Sequence, residues 1–246
     1  MSPLRIACLL LAVLLLPGCA EFPYAGARAG GSFQGDDYVV ARGDTLYSIA
    51  WRSDLDFRDV ARWNDIDPPY TIYPGERLRL APPRSSSGGG HAPRTTAHAS
   101  PTPARQATSA PSGEDQDREV SDAALHWRWP TSGRVMRRFS RQRMGKHGID
   151  LGGEIGQPVR AAAGGRVVYS GDGLRGYGNL IIVKHNSRYL TAYGYNEKLL
   201  VEEGAKVAPG QMIARMGRGP DSKPALHFEV RRDGKPVDPL KILPER

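Results

Sequence analysis

The chain has 246 residues, 39% of them hydrophobic, with 29 glycines and 20 prolines. That much punctuation argues against one continuous domain and for two small modules with a connecting segment. The formal net charge of +8 is uneven: Pro130 to Arg246 carries 21 Lys or Arg against 11 Asp or Glu, while Asp37 to Leu80 carries 6 against 8.

Arg5, an apolar run from Ile6 to Leu16 and then Pro17-Gly18-Cys19 open the chain. Eleven apolar residues are too few to span a bilayer, which takes about 20, and the pattern is that of an export signal over residues 1–18. Nucleic acid is therefore not expected as the partner of the basic surplus. Of the two cysteines, Cys8 lies inside the signal, which leaves Cys19 alone and excludes a disulfide in the exported chain. Leu16-Pro17-Gly18-Cys19 resembles a bacterial lipobox, which implies that Cys19 is lipidated. Ala20 after it is similar to the sorting signal for an outer membrane, and several acyl chains give a stable anchor. Residues 19–36, with four glycines, read as a tether.

Residues 37–81 predict the order strand, helix, helix, strand. Tyr38 to Val40 is a short β-type run. Asp44 is the expected N-cap of a helix with Leu46, Ile49 and Ala50 on one face, and Asp56 caps a second helix with Phe57, Val60 and Ala61 on one face. Arg77 to Leu80 is the closing strand. Gly43-Asp44-Thr45-Leu46, Trp63-Asn64 and Tyr73-Pro74-Gly75 together resemble a LysM repeat. The resemblance implies a shallow groove for N-acetylglucosamine-containing glycan strands, with Gly43, Asp44, Thr45 and Leu46 facing Ile66, Asp67 and Ile72. Residues 82–125, rich in Pro, Ser, Gly and Thr, lack the large apolar side chains needed to offset chain entropy and read as a disordered linker. His91 and His98 within it read as spectators.

Residues 126–246 hold short apolar runs, such as Arg166 to Tyr169, Leu180 to Val183 and Gln211 to Ala214, separated by Gly-rich turns. They predict an antiparallel all-β domain. In Pro224 to Val230, period-two alternation turns Leu226, Phe228 and Val230 into a core and puts Ala225, His227 and Glu229 on the other face. Gly148 to Gly152, Gly176 to Leu180, Tyr193 to Tyr195, Pro209 to Gln211 and Leu226 to Val230 resemble, in this order, the lysostaphin/LytM zinc endopeptidases of peptidoglycan.

That resemblance implies a zinc held by a His four residues before an Asp, by that Asp and by the second His of His-x-His, with two further histidines assisting the water. Asp150 and His227 match. Lys146 stands at the first ligand position, Ala225 at the first His of His-x-His, and Tyr195 at the His expected after Tyr193-Gly194. A catalytic zinc needs three protein ligands and an open position, and an ammonium has no lone pair to give. The domain thus reads as a degenerate, non-catalytic peptidase fold that needs no cofactor, its relic Asp150 and His227 held by hydrogen bonds or by an ion pair from Lys146.

An enzyme using His147, Asp150 and His227 stays as one alternative. A purely structural tether between outer membrane and wall stays as another. Arg134, Arg137, Arg138, Arg141, Arg143 and Lys146 form a basic patch suited to an acidic partner, murein carboxylates or anionic lipid, or to plain solvation.

The full arrangement is similar to NlpD-type lipoproteins. The resemblance implies a protein at the division septum, anchored in the outer membrane and facing the periplasm, that activates an N-acetylmuramoyl-L-alanine amidase through an empty groove. That groove would be formed by Lys146, Asp150, Arg175, Tyr177, Asn179, Tyr195, Ala225 and His227.

Overall fold

A computed structural model describes residues 32–34, 36–83, 120–141 and 147–246. The expected signal, Cys19, most of the linker and Lys146 lie outside these residues.

The first module is built on two short helices, α1 (Leu46–Arg52) and α2 (Phe57–Trp63). Each begins where a side chain can take up a helix-end N–H. Thr45, not Asp44, caps α1: its hydroxyl accepts from Ser48 N while Ser48 Oγ accepts from Thr45 N, a reciprocal capping box. Asp44 instead turns back, accepting from Ala41 N and Tyr38 Oη and pairing with Arg52. Asp56 caps α2 as expected. The helices pack on an antiparallel sheet of β1 (Ser32–Gln34), β2 (Asp37–Val39) and β3 (Arg77–Arg79), with β2 central. Strand β1 falls in the segment expected to be tether, so the module begins earlier than the apolar pattern suggests.

The second domain is all antiparallel. Its strands are β4 (Val135–Arg137), β5 (Ile149–Gly152), β6 (Pro158–Arg160), β7 (Gly165–Gly171), β8 (Asn179–Lys184), β9 (Tyr189–Leu199), β10 (Lys206–Val207), β11 (Met212–Arg218), β12 (Pro224–Arg232) and β13 (Lys235–Val237). The path runs β10-β7-β8-β9-β11-β12-β5-β4, with β6 on β11 and β13 on β12, and β9 also pairs directly with β12. Strand alternation sorts the side chains as expected. Leu226, Phe228 and Val230 are fully buried with Ile149, Leu151, Ile181, Val183 and Tyr193 in one core. Gly148 lets β5 approach β12: a Cβ there would lie 2.3 Å from the Phe228 carbonyl oxygen.

The opposite sheet face is covered as well. Val168, Tyr169, Leu174, Ile182, Leu190 and Ala192 join the LysM-like module's Leu46, Ile49, Trp51, Phe57 and Val60 in a single apolar cluster. The two modules are therefore packed together. Ahead of β4, Asp122–Ala124 forms a 3-10 turn within the expected linker, and Asn186 Nδ2 donates to Val120 O and Asp122 Oδ1.

Candidate functional site

Register brings the expected relic pair together. His227 on β12 is the direct cross-strand partner of Asp150 on β5, and on its other side of Gly194 on β9. Cross-strand neighbours lie about 5 Å apart, and here His227 Nδ1 is 2.7 Å from Asp150 Oδ1. The third member comes from β4. Arg137 is Asp150's register partner, and its guanidinium forks onto the carboxylate, Nε to Oδ2 at 2.6 Å and Nη2 to Oδ1 at 2.7 Å. Nη2 is also 3.0 Å from His227 Nδ1.

The lysostaphin/LytM likeness implies a zinc between these groups, and the residues present do not fit one. Both Asp150 oxygens are bonded to a fixed cation that cannot be deprotonated, and Oδ1 also takes His227 Nδ1. A dication would have to displace that guanidinium. Among the described residues no group of three His, Cys, Asp or Glu is placed to hold a metal. His147 does not close the gap: its Nδ1 lies 3.3 Å from the Ser140 carbonyl oxygen. A cation does stand beside Asp150, and it is Arg137, which the sequence places only in a basic patch; Lys146, the cation expected there, lies outside the described residues.

Behind His227 lies a second carboxylate. His227 Nε2 is 2.7 Å from Glu229 Oε1, which also accepts from Tyr177 Oη at 3.0 Å and from His147 N at 3.0 Å. With a carboxylate at each ring nitrogen, both nitrogens serve as donors. Burial opposes the charged imidazole, but the bonds to Asp150 and Glu229 outweigh it and raise the pKa of His227. Asp150 shows the same balance with opposite sign: burial would raise it, and the bonds from His227 and Arg137 hold it at about 2. Two cations and two carboxylates thus close into a neutral cluster.

Tyrosines flank the imidazole. The Tyr195 and Tyr177 rings stand 5.3 and 5.6 Å from it, and Tyr195 takes a positive φ of 66°. Burial, then the Asp150 charge, pushes the Tyr195 phenol up to about 12, so near neutral pH it stays protonated and is no general base.

Of the expected groove residues, Asp150, Tyr177, Tyr195, Ala225 and His227 therefore converge, and Lys146 lies outside the described residues. The surface they make is filled rather than open: His227 is 0% exposed, Ala225 3%, Tyr177 6% and Tyr195 6%. Arg175 is exposed in the turn before β8, and Asn179 bonds the Asn196 carbonyl. A bulky charge at Ala225 would accordingly disturb the β11–β12 turn as well as any partner.

In the first module Gly43 and Asp67 are exposed and Ile66 and Ile72 half-buried, whereas Thr45 caps α1 and Leu46 belongs to the core. The side chains of these last two are turned inward.

Two buried histidines give opposite pH signatures. The contribution of His227, with its raised pKa, is fully present below the ordinary value of 6.5 and is lost as pH rises through the raised one. His185 is bonded to the Gly164 carbonyl and the Thr191 hydroxyl, and burial lowers it to about 4. Its contribution is present above 6.5 and lost as pH falls through about 4. Urea unfolding measured from pH 4 to 9 is expected to lose its alkaline decline in His227→Gln and its acid decline in His185→Gln.

Comparison with known proteins agrees with this division of the chain. Residues 38–81 match the LysM domain and residues 144–239 match peptidase family M23. The chain is 44% identical over 230 residues to a lipoprotein NlpD/LppB homolog of Pseudomonas aeruginosa, covering 85% of this chain and 77% of that protein. It is 40% identical over 245 residues to the lipoprotein YgeR of Escherichia coli K12, covering 98% and 93%. It is also 38% identical over 268 aligned positions to the murein hydrolase activator NlpD of the same organism, covering 88% and 70%. With a LysM domain ahead of an M23 domain and this similarity along most of its length, the chain belongs to the NlpD/LppB lipoprotein family.

Proposed function

We propose that this chain binds murein glycan strands through its LysM domain and activates a periplasmic N-acetylmuramoyl-L-alanine amidase through its M23 domain, without cutting murein itself. The observation that carries the non-catalytic half is the Arg137 fork on the Asp150 carboxylate beside His227, which puts a side-chain cation where the peptidase chemistry calls for a metal. The activator half is supported by relatives in Escherichia coli and Salmonella named murein hydrolase activator NlpD. Anchoring through Cys19 is supported by the lipoprotein names, including outer membrane antigenic lipoprotein B of Haemophilus influenzae. Work at the septum, in daughter-cell separation, completes the proposal.

An activator of this kind acts by binding the open state of the amidase more tightly than the closed one. Each tenfold preference corresponds to about 1.4 kcal/mol. Arg175 is the outward-facing cation at the groove edge and the residue to change. The test is murein release from purified sacculi by the chain from Ala20 onward, alone and mixed with each periplasmic amidase. The chain alone is expected to release nothing and one amidase to rise well above its own rate. Arg175→Glu is expected to cut that rise by about tenfold or more while sacculus binding persists. Chelator-sensitive release by the chain alone would overturn the reading in favour of an enzyme. A chain that binds sacculi yet stimulates no amidase would leave only a tether.

A further inference from the structure

The LysM domain lies on the same sheet face that carries the relic site. Row by row across that face, His227 stands beside Gly194, Glu229 beside Ala192 and Arg231 beside Leu190. The first row is the relic site, the rows beyond it are covered by the LysM core, and Glu229 belongs to both.

At this border one residue of α1 does most of the joining. The Trp51 indole N–H donates to Tyr177 Oη at 3.3 Å, and Tyr177 Oη donates to Glu229 Oε1. From there the bonds run through His227 and Asp150 to Arg137, so an unbroken hydrogen-bonded chain links the LysM helix to the outer end of the groove. The Trp51 ring also lies 4.0 Å from the Arg231 guanidinium, whose Nη2 reaches Asp54 Oδ1 at 2.7 Å. A second contact supports the first: Arg58 meets Asp233 at 3.2 Å, beside a hairpin turn where a Cβ on Gly234 would fall 2.6 Å from Asp56 Cα.

The contact is specific without being optimal. Arg231 is buried, yet its Nε and Nη1 have no hydrogen-bond partner among the described residues, and neither has Glu229 Oε2. Buried charged groups with unused valence cost stability that an apolar contact of the same size would not. A contact that has to open tolerates that cost, and permanent packing gains nothing from it.

We propose that the LysM domain is a releasable clasp on the M23 domain. Docked, it holds Tyr177 by its hydroxyl and thereby fixes the Gly173 to Asn179 turn at the groove edge. Released, it leaves that turn mobile. The proposal stands on the contact itself and holds whether or not the groove receives an amidase.

The test is amide hydrogen exchange on the full mature chain, two single variants and one double variant. Asp54→Asn changes a half-exposed LysM side chain that takes no part in the M23 sheet, and Arg231→Glu opposes Asp54 with a like charge. Both are expected to speed exchange in the Gly173 to Tyr177 turn by about tenfold or more, with β8 and β9 still protected, and Asp54→Lys added to Arg231→Glu is expected to restore the turn. Should Arg231→Glu weaken the whole sheet, Asp54→Asn decides alone. A turn that exchanges at the wild-type rate in Asp54→Asn, or one that loosens only together with β8 and β9, would overturn the clasp.

Discussion

Replacing Arg137 with alanine is expected to destabilise the M23 domain by about 3 kcal/mol, near the low end for breaking a largely buried ion pair. The Arg137 and Asp150 side chains are 21% and 15% exposed, so solvent screens the loss only in part. The change leaves Asp150 and Glu229 facing His227 with one cation between two carboxylates. The cluster then carries net negative charge, and Asp150 gives up part of the downward pull on its pKa. The further loss of stability in acid, which in the wild type runs on as pH falls through about 2, should be smaller and complete at higher pH. Urea unfolding at neutral pH and across the acid range down to about that pKa measures both effects. Arg137→Lys should recover less than half of the loss, because a point charge cannot fork onto both carboxylate oxygens. A wild-type urea midpoint in Arg137→Ala would mean that the fork is ornamental.

Glu229→Ala should cost about 3 to 5 kcal/mol, by the penalty for stranding buried hydrogen-bond partners of a charge. One oxygen, Glu229 Oε1, accepts from His227, Tyr177 and His147 N, and alanine leaves all three donors without it, the first two of them buried. It also removes one of the two carboxylates that favour the imidazolium, so the His227 ring should titrate lower, as NMR of the imidazole protons would show. Glu229→Gln keeps an oxygen for Tyr177 and His147 but not the charge, and should fall between wild type and alanine. An alanine variant as stable as the wild type would show that the three donors find other partners.

What the sequence makes legible here is set by range. Alternation along Pro224 to Val230 is a local, period-two property, and it correctly sends Leu226, Phe228 and Val230 inward. The Asp150 and His227 positions carry short motifs, so their meeting is legible too. Arg137 is not: it reaches Asp150 through a β4–β5 register with an irregularity between Val135 and Arg137, which no pattern in the residues encodes. Asp44 misleads for a related reason. Asp44 and Thr45 are both good caps, and only the backbone decides that Thr45 reaches Ser48 N while Asp44 bonds backward to Ala41 N. The docking of Trp51 on Arg231 is the least legible of all, since a tryptophan on a short amphipathic helix looks the same whether it faces its own core or a neighbour.

Strand β1 starts at Ser32, only thirteen residues past Cys19. A chain of that length, however it runs, reaches at most about 45 Å. Because the LysM domain begins there and the M23 domain is docked on it, the 36 residues from 84 to 119 add nothing to that distance while the clasp is closed. With Cys19 lipidated as proposed, glycan site and groove would both patrol a thin layer next to the membrane, and opening the clasp is what would lend the M23 domain the length of the connecting segment to search deeper into the wall.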